Sequence, residues 1–111
     1  KLNNIDTLKT PQKINCNHSY HLYPILIDFK KLKKTKKSLF QIFLKNDIKL
    51  QVHYKPTHLF SYYQKKYKNK KIVLKNSEKF YQQELSLPIF FNLKKDIVNK
   101  VIQILKDFTV R

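Results

Sequence analysis

The sequence predicts an α/β domain, with a small mixed or antiparallel sheet of about three strands flanked by helices. Two observations predict it. Short apolar runs rich in β-branched and aromatic residues recur along the chain, and stretches with apolar residues three and four apart separate them. In order they read strand, helix, strand, helices, strand, helix. A third observation bounds the size: 111 residues with 41% hydrophobic content suffice for one modest core.

The first strand is "YHLYPILIDF", residues 20–29. It is apolar at nearly every position, so both faces are expected to be covered. Pro24 has no N–H for a ladder bond and is expected at a sheet edge or a non-bonded position. "TKKSLFQIFLKND", residues 35–47, reads as a helix with Leu39, Phe40, Phe43 and Leu44 on one stripe. Thr35 or Ser38 is its expected N-cap. Asn46 and Asp47 end it, because both tolerate the left-handed backbone that glycine usually takes there.

"IKLQVHY", residues 48–54, alternates as a half-buried strand does. Ile48, Leu50, Val52 and Tyr54 are expected on the core side, with Lys49, Gln51 and His53 opposite. Pro56 stops it. Thr57 is the expected cap of a short helix, "HLFSYYQKKY", which would bury Leu59, Tyr62 and Tyr63. "NSEKFYQQELS", residues 76–86, reads as a further helix capped by Asn76 or Ser77. Glu78 suits its first turn, and Phe80, Tyr81, Glu84 and Leu85 follow helical spacing. "SLPIFF", residues 86–91, reads as a short buried strand. "LKKDIVNKVIQILKDF", residues 93–108, is the clearest helix, with Ile97, Val101, Leu105 and Phe108 as its stripe, widened by Val98, Ile102 and Ile104. The opening "KLNNIDTLKTPQKIN" shows no strong core pattern. With no Met anywhere, the expectation is a piece of a longer chain.

The formal net charge of +17 normally points to nucleic acid or an anionic membrane. Composition offers a simpler cause. There is no Gly and no Ala, the one arginine is Arg111, and Lys, Asn, Ile, Phe and Tyr abound. Those five are what A/T-rich codons encode. A phosphate-reading surface also draws on Arg, whose planar fork binds two oxygens at once. The lysines occur on every segment, with runs at residues 30–37 and 65–71 expected as solvated loops. A standalone basic α/β module binding nucleic acid or another anionic partner is therefore the alternative reading, not the main one.

No apolar stretch approaches the roughly 18 residues that cross a bilayer. The opening residues have no leader pattern, and a lone cysteine, Cys16, fits a reducing compartment. A cytoplasmic protein with no membrane partner is expected. Without glycine, a glycine-rich phosphate loop is excluded.

Cys16, His18 and His21 lie close together, and His53 and His58 are further candidate ligands. Structural zinc uses paired ligands at short fixed spacings, which "CNHSYH" does not supply, so no metal is expected. Cys16 has no surrounding nucleophile pattern. Glu84, on the apolar side of its segment, is expected to make a structural hydrogen bond or ion pair. "QVHYKPTH", residues 51–58, is the remaining candidate. Histidine is the side-chain type suited to proton transfer near neutral pH, Tyr54 can donate a hydrogen bond, and strand ends are where α/β folds place ligand contacts, so His53, Tyr54 and His58 are the candidates. The structural alternative puts Tyr54 in the core, Pro56 in a turn and His58 at a helix start.

Taken in order, "SYHLYPI" (residues 19–25), "QVHYKPTH" (51–58) and "SEKFYQQELSLPIF" (77–90) resemble the C-terminal portion of the DegT/DnrJ/EryC1/StrS sugar aminotransferases. The resemblance spans residues 19–108. It implies the small C-terminal domain of the aspartate-aminotransferase fold type over residues 19–111, with residues 1–18 flanking the domain start. It implies a parent enzyme, a homodimer, that uses pyridoxal phosphate to move an amino group from glutamate to a keto carbon of a nucleotide-linked deoxysugar.

The family's cofactor-binding residues belong to a large N-terminal domain. No cofactor is therefore expected on this chain alone, no catalytic residue is assigned, and the chain by itself is expected to be inactive. His53, Tyr54 and His58 match the family's substrate-side turn, with Pro56 fixing it. Glu84, Ser86 and Pro88 match a segment read as structural. The chain departs from the family at Asp47 and Lys49, where small residues are usual, after Tyr62 and Tyr63, where no Gly follows, and at Lys94, where Thr often caps the last helix.

Overall fold

The computed structural model describes residues 2, 4–12, 17–68 and 72–110. Its sheet is antiparallel with strand order β1–β2–β3, where β1 is Leu8–Lys9, β2 is Tyr23–Ile27 and β3 is Glu84–Leu87. The helices are α1 (Phe29–Leu32), α2 (Lys36–Lys45), α3 (Ser61–Lys66), α4 (Lys75–Gln83) and α5 (Lys95–Thr109), with a 3-10 turn at Thr57–Leu59 before α3.

Pairing sets Ile25 opposite Leu85 and Pro24 opposite Ser86. Ile25, Ile27 and Leu85 therefore share the core face, and Pro24, Leu26, Glu84 and Ser86 the other. Leu39 and Phe43 of α2 and Val101, Leu105 and Phe108 of α5 complete that core. Pro24 lies in the central strand, not at an edge, yet costs no ladder bond. Its partner Ser86 gives its N–H to Gln51 (2.8 Å) and accepts from Gln51 N–H (3.4 Å), while β1 reaches only Leu26 and Ile27.

The first strand is shorter than its apolar run because Asp28 caps a helix, its Oδ1 accepting Lys31 N–H at 3.0 Å. The lysine run at residues 30–37 is thus part of α1, a three-residue connection and the start of α2, not one solvated loop. Lys34 Nζ donates to the Phe108 and Val110 carbonyls (2.7 and 2.9 Å), satisfying the open end of α5. Lys36 Nζ donates to the Tyr81 carbonyl at 2.6 Å. Burial pushes the Lys36 ammonium below its usual pKa, with the Glu84 charge opposing that shift. In the second run, Lys65 and Lys66 belong to α3, and residues 69–71 lie outside the described residues.

Thr35 caps α2 as expected, its Oγ1 accepting Ser38 N–H at 3.0 Å. At the far end Asp47 takes a left-handed φ of 59°. Asp47 N–H bonds the Leu44 carbonyl and Ile48 N–H bonds the Phe43 carbonyl, both at 3.0 Å, while Ile48 and Phe43 are both buried. This is the paired-bond helix stop that glycine normally serves. Leu44, expected on the stripe, is exposed, and Phe40 is half-buried.

Several expectations fail where an element is short. Tyr62 and Tyr63 are exposed, because α3 has six residues and few neighbours to cover it. Thr57 starts the 3-10 turn and caps nothing. At α4 neither Asn76 nor Ser77 caps; Glu78 Oε1 accepts Leu74 N–H at 3.2 Å instead. The helix stops at Gln83, so Glu84 and Leu85 belong to β3. β3 in turn ends at Leu87, leaving Phe90 and Phe91 exposed. In α5, Val101, Leu105 and Phe108 are buried, with Ile97 and Val98 at the margin. Leu2 and Leu8 join the core and Thr7 is buried, though two-residue β1 is too short to leave a periodic pattern. No described helix is long and apolar enough to cross a membrane.

Candidate functional site

The site is built on the segment that leaves α2. The left-handed Asp47 reverses the chain, and buried Ile48 and Leu50 anchor it to the core. Gln51 then meets β3 in a single bridge to Ser86. Residues 48–54 therefore form one bridge and no strand. The reason is that the next donor, His53 N–H, goes to the Glu84 carboxylate (Oε2, 3.0 Å) and not to a strand carbonyl. The alternation breaks there. Val52 is half-buried and Tyr54 is 73% exposed, so Tyr54 is not a core residue. The His53–Tyr54 peptide is cis.

Glu84 is fully buried, yet both of its oxygens are used. Oε1 accepts the Ser86 hydroxyl at 2.6 Å, and Ser86 Oγ lies 2.8 Å from His53 Nδ1. The His53 ring meets Tyr54 edge to face at 4.7 Å. His53, Tyr54 and Ser86 border a cleft of about 470 Å³ whose walls include His21, Lys49, Gln51 and Phe90.

His58 faces elsewhere. Its Nε2 lies 2.9 Å from Glu78 Oε1, with 7% of the side chain exposed, and its Nδ1 is buried without a partner. The hydrogen bonds from His58 and from Leu74 N–H hold the Glu78 carboxyl below its usual pKa. His58 lines a second cleft of about 680 Å³ with Tyr63, Tyr67 and Leu74, where the two tyrosine rings lie parallel 6.5 Å apart. The structure thus brings His53 and Tyr54 together and ties His58 to α4. Tyr54 lines the first cleft and also a groove that includes His58.

Sequence reading placed Glu84 on a helix and so missed its partnership with Ser86. The signal was present: in "ELSL" the two residues are two apart, which puts them on one face of a strand. Among the described residues no three His, Cys, Asp or Glu side chains gather as a metal site. His18 is exposed, its Nδ1 accepting Tyr20 N–H at 2.8 Å, and Cys16 lies outside the described residues.

The sequence pattern of the DegT/DnrJ/EryC1/StrS aminotransferase family matches residues 1–106. This chain belongs to that family. It is 47% identical over 70 residues to a Campylobacter jejuni UDP-4-amino-4,6-dideoxy-N-acetyl-beta-L-altrosamine transaminase, a match covering 63% of this chain and 18% of the relative. It is 36% identical over 104 residues to the uncharacterised Methanocaldococcus jannaschii protein MJ1066, covering 93% of this chain and 27% of that one. Among solved structures it resembles Helicobacter pylori PseC, an aminotransferase involved in the biosynthesis of pseudoaminic acid. There the TM-score is 0.82 with 32% identity, over 96% of this chain and 29% of PseC. The chain thus spans less than a third of the length of each of these relatives. The fold is the three-stranded antiparallel sheet with helices found in sugar aminotransferases of the aspartate-aminotransferase fold.

Pyridoxal phosphate needs a lysine amine to hold it and a charged partner at its pyridine nitrogen. The His53 cleft has one exposed lysine, Lys49, and no carboxylate in its walls. Half-buried Lys36 is engaged by the Tyr81 carbonyl. The walls of the His53 cleft therefore do not fit the cofactor. What the cleft does offer is an imidazole, a phenol and amide groups, which suit hydrogen bonding to a polar ligand.

Proposed function

We propose that this chain is the small C-terminal domain of a pyridoxal-phosphate aminotransferase. The parent enzyme moves an amino group from glutamate to a keto carbon of a nucleotide-linked deoxysugar, in polysaccharide or pseudaminic acid biosynthesis. One observation carries the reading: 96% of this chain lies on PseC, while only 29% of PseC is covered. A chain that matches one part of an enzyme so fully is read as that part. The larger remainder supplies the cofactor lysine, and this chain alone is inactive.

In this reading His53 and Tyr54 face the nucleotide-linked sugar, and His58 braces their turn through Glu78. Exposed Ile89 and Phe90, at the rim of the His53 cleft, and exposed Phe91 beside them in sequence meet the large N-terminal domain. The parent works as a homodimer in the cytoplasm. Nucleic acid is not the partner; Lys34, Lys36 and Lys100 are taken up by backbone carbonyls within the domain.

The test has two arms. Purified chain mixed with pyridoxal phosphate is expected to show no absorbance band of lysine-bound cofactor and no turnover. Grafted onto the large domain of PseC in place of the equivalent segment, it is expected to restore transamination of the nucleotide sugar. Turnover by the chain alone refutes the inactive-alone claim. A folded, cofactor-loaded graft without activity refutes the domain assignment.

A further inference from the structure

We propose that Glu84 and Ser86 lock His53 as the tautomer protonated on Nδ1, so that Nε2 stands in the cleft as an acceptor for a hydroxyl or N–H donor of the ligand. The proposal deepens the substrate reading of that cleft and rests on it for the ligand's identity, but the lock itself follows from hydrogen-bond arithmetic.

A carboxylate can only accept. Glu84 Oε2 takes the His53 backbone N–H, and Oε1 takes the Ser86 hydroxyl at 2.6 Å. Ser86 has one hydroxyl hydrogen, and Glu84 uses it. Toward His53 the serine oxygen therefore offers only lone pairs. The 2.8 Å contact must then be Nδ1–H donating to Ser86 Oγ. In a neutral imidazole the other nitrogen carries the lone pair.

No described residue bonds to Nε2. Nor is it among the buried atoms that lack a partner, so it is open to solvent at the cleft wall. Glu84 and Ser86 are positioning residues acting through His53. A buried carboxylate on a sheet face is costly to keep, and this gives it a task beyond packing.

The tautomer of His53 is read directly in the purified chain by long-range proton–nitrogen NMR, at a pH where the ring is neutral. The expected result is a proton on Nδ1 and none on Nε2. Glu84→Gln is nearly isosteric and reverses the chain of donors. His53 N–H keeps the amide oxygen at the Oε2 place, which puts the amide NH2 against Ser86. The serine hydroxyl is then free to donate to Nδ1, and the proton moves to Nε2. The tautomer ratio is expected to change at least about tenfold, the scale of one hydrogen bond.

Ser86→Thr keeps the hydroxyl and is expected to keep the wild-type tautomer, whereas Ser86→Ala loses the preference. A packing role alone predicts no reversal. Wild-type His53 protonated on Nε2 overturns the proposal, as does a folded Glu84→Gln variant still protonated on Nδ1. If Glu84→Gln does not fold, Ser86→Ala decides: an unchanged tautomer overturns the lock. The readout needs neither cofactor nor turnover, so its failure and that of the aminotransferase reading are separate results.

Discussion

The His58 imidazole closes on the Glu78 carboxylate at 2.9 Å, joining the turn after Pro56 to the first turn of α4. That carboxylate also accepts Leu74 N–H, so one acidic side chain ties down a turn and a helix start together.

An acid-pH prediction follows. The two hydrogen bonds hold the folded Glu78 pKa below its ordinary value of 4.5. A depressed carboxyl stabilises the fold above its unfolded pKa and loses that contribution as pH falls through the folded value. Wild type is therefore expected to lose stability below pH 4.5 more steeply than Glu78→Gln, which cannot titrate. Urea midpoints measured down the acid range check this; parallel slopes for the two proteins would refute it.

The end of α2 is a site for gain. Asp47 holds φ at 59°, a region that costs most residues about 1 kcal/mol and glycine little. Asp47→Gly keeps both stop bonds and is expected to raise stability by about 0.5–1 kcal/mol, part of the benefit being offset by the freer unfolded chain. Equilibrium urea unfolding measures it, and a loss of stability would contradict the geometry.

The start of α5 offers a second gain. Lys94 occupies the N-cap with an extended backbone (φ −65°, ψ 142°) and no side-chain bond. Lys94→Thr supplies the missing acceptor and removes a positive charge from the positive end of the helix, for an expected gain of about 1 kcal/mol. Thermal unfolding of the two proteins side by side reports it.

The core and the misread stripe separate cleanly by substitution. Leu105 is fully buried, and Leu105→Ala is expected to cost about 2–5 kcal/mol, a large part of the 5–15 kcal/mol typical of a domain. Leu44 is 63% exposed despite its place on the apolar stripe of α2, so Leu44→Ala is expected to stay within about 0.5 kcal/mol. Equal costs at the two positions would mean that α2 faces the core differently.

These positions show which parts of the molecule could be read in advance. The long helices were legible because three or more turns repeat the apolar period, as at Val101, Leu105 and Phe108. Caps with a polar side chain were legible too, as at Thr35. Two-residue β1, four-residue α1 and the switch from helix to strand at Glu84 were not, since each is shorter than the period that would reveal it.

The candidate site was half legible. Its turn carried a recognisable motif, and His53 and Tyr54 do share a cleft. The partners of His53 come from β3, however, and only the pairing of distant segments places them. Alternation alone would place Tyr54 in the core. That inference failed when Glu84 captured the His53 N–H in place of a strand neighbour.

The order of the strands has a consequence for how the molecule is made. β2 sits at the centre of the sheet and leaves the ribosome before β3, which covers it through Ile25 and Leu85, and before α5, whose last carbonyls hold Lys34. A nascent chain that has released β2 but not β3 presents an apolar strand with an open edge and nothing to close it. Pairings so far apart in sequence are slow to form and leave sticky surface bare while they wait. The window in which this domain is vulnerable to aggregation thus lasts until α5 is free of the ribosome.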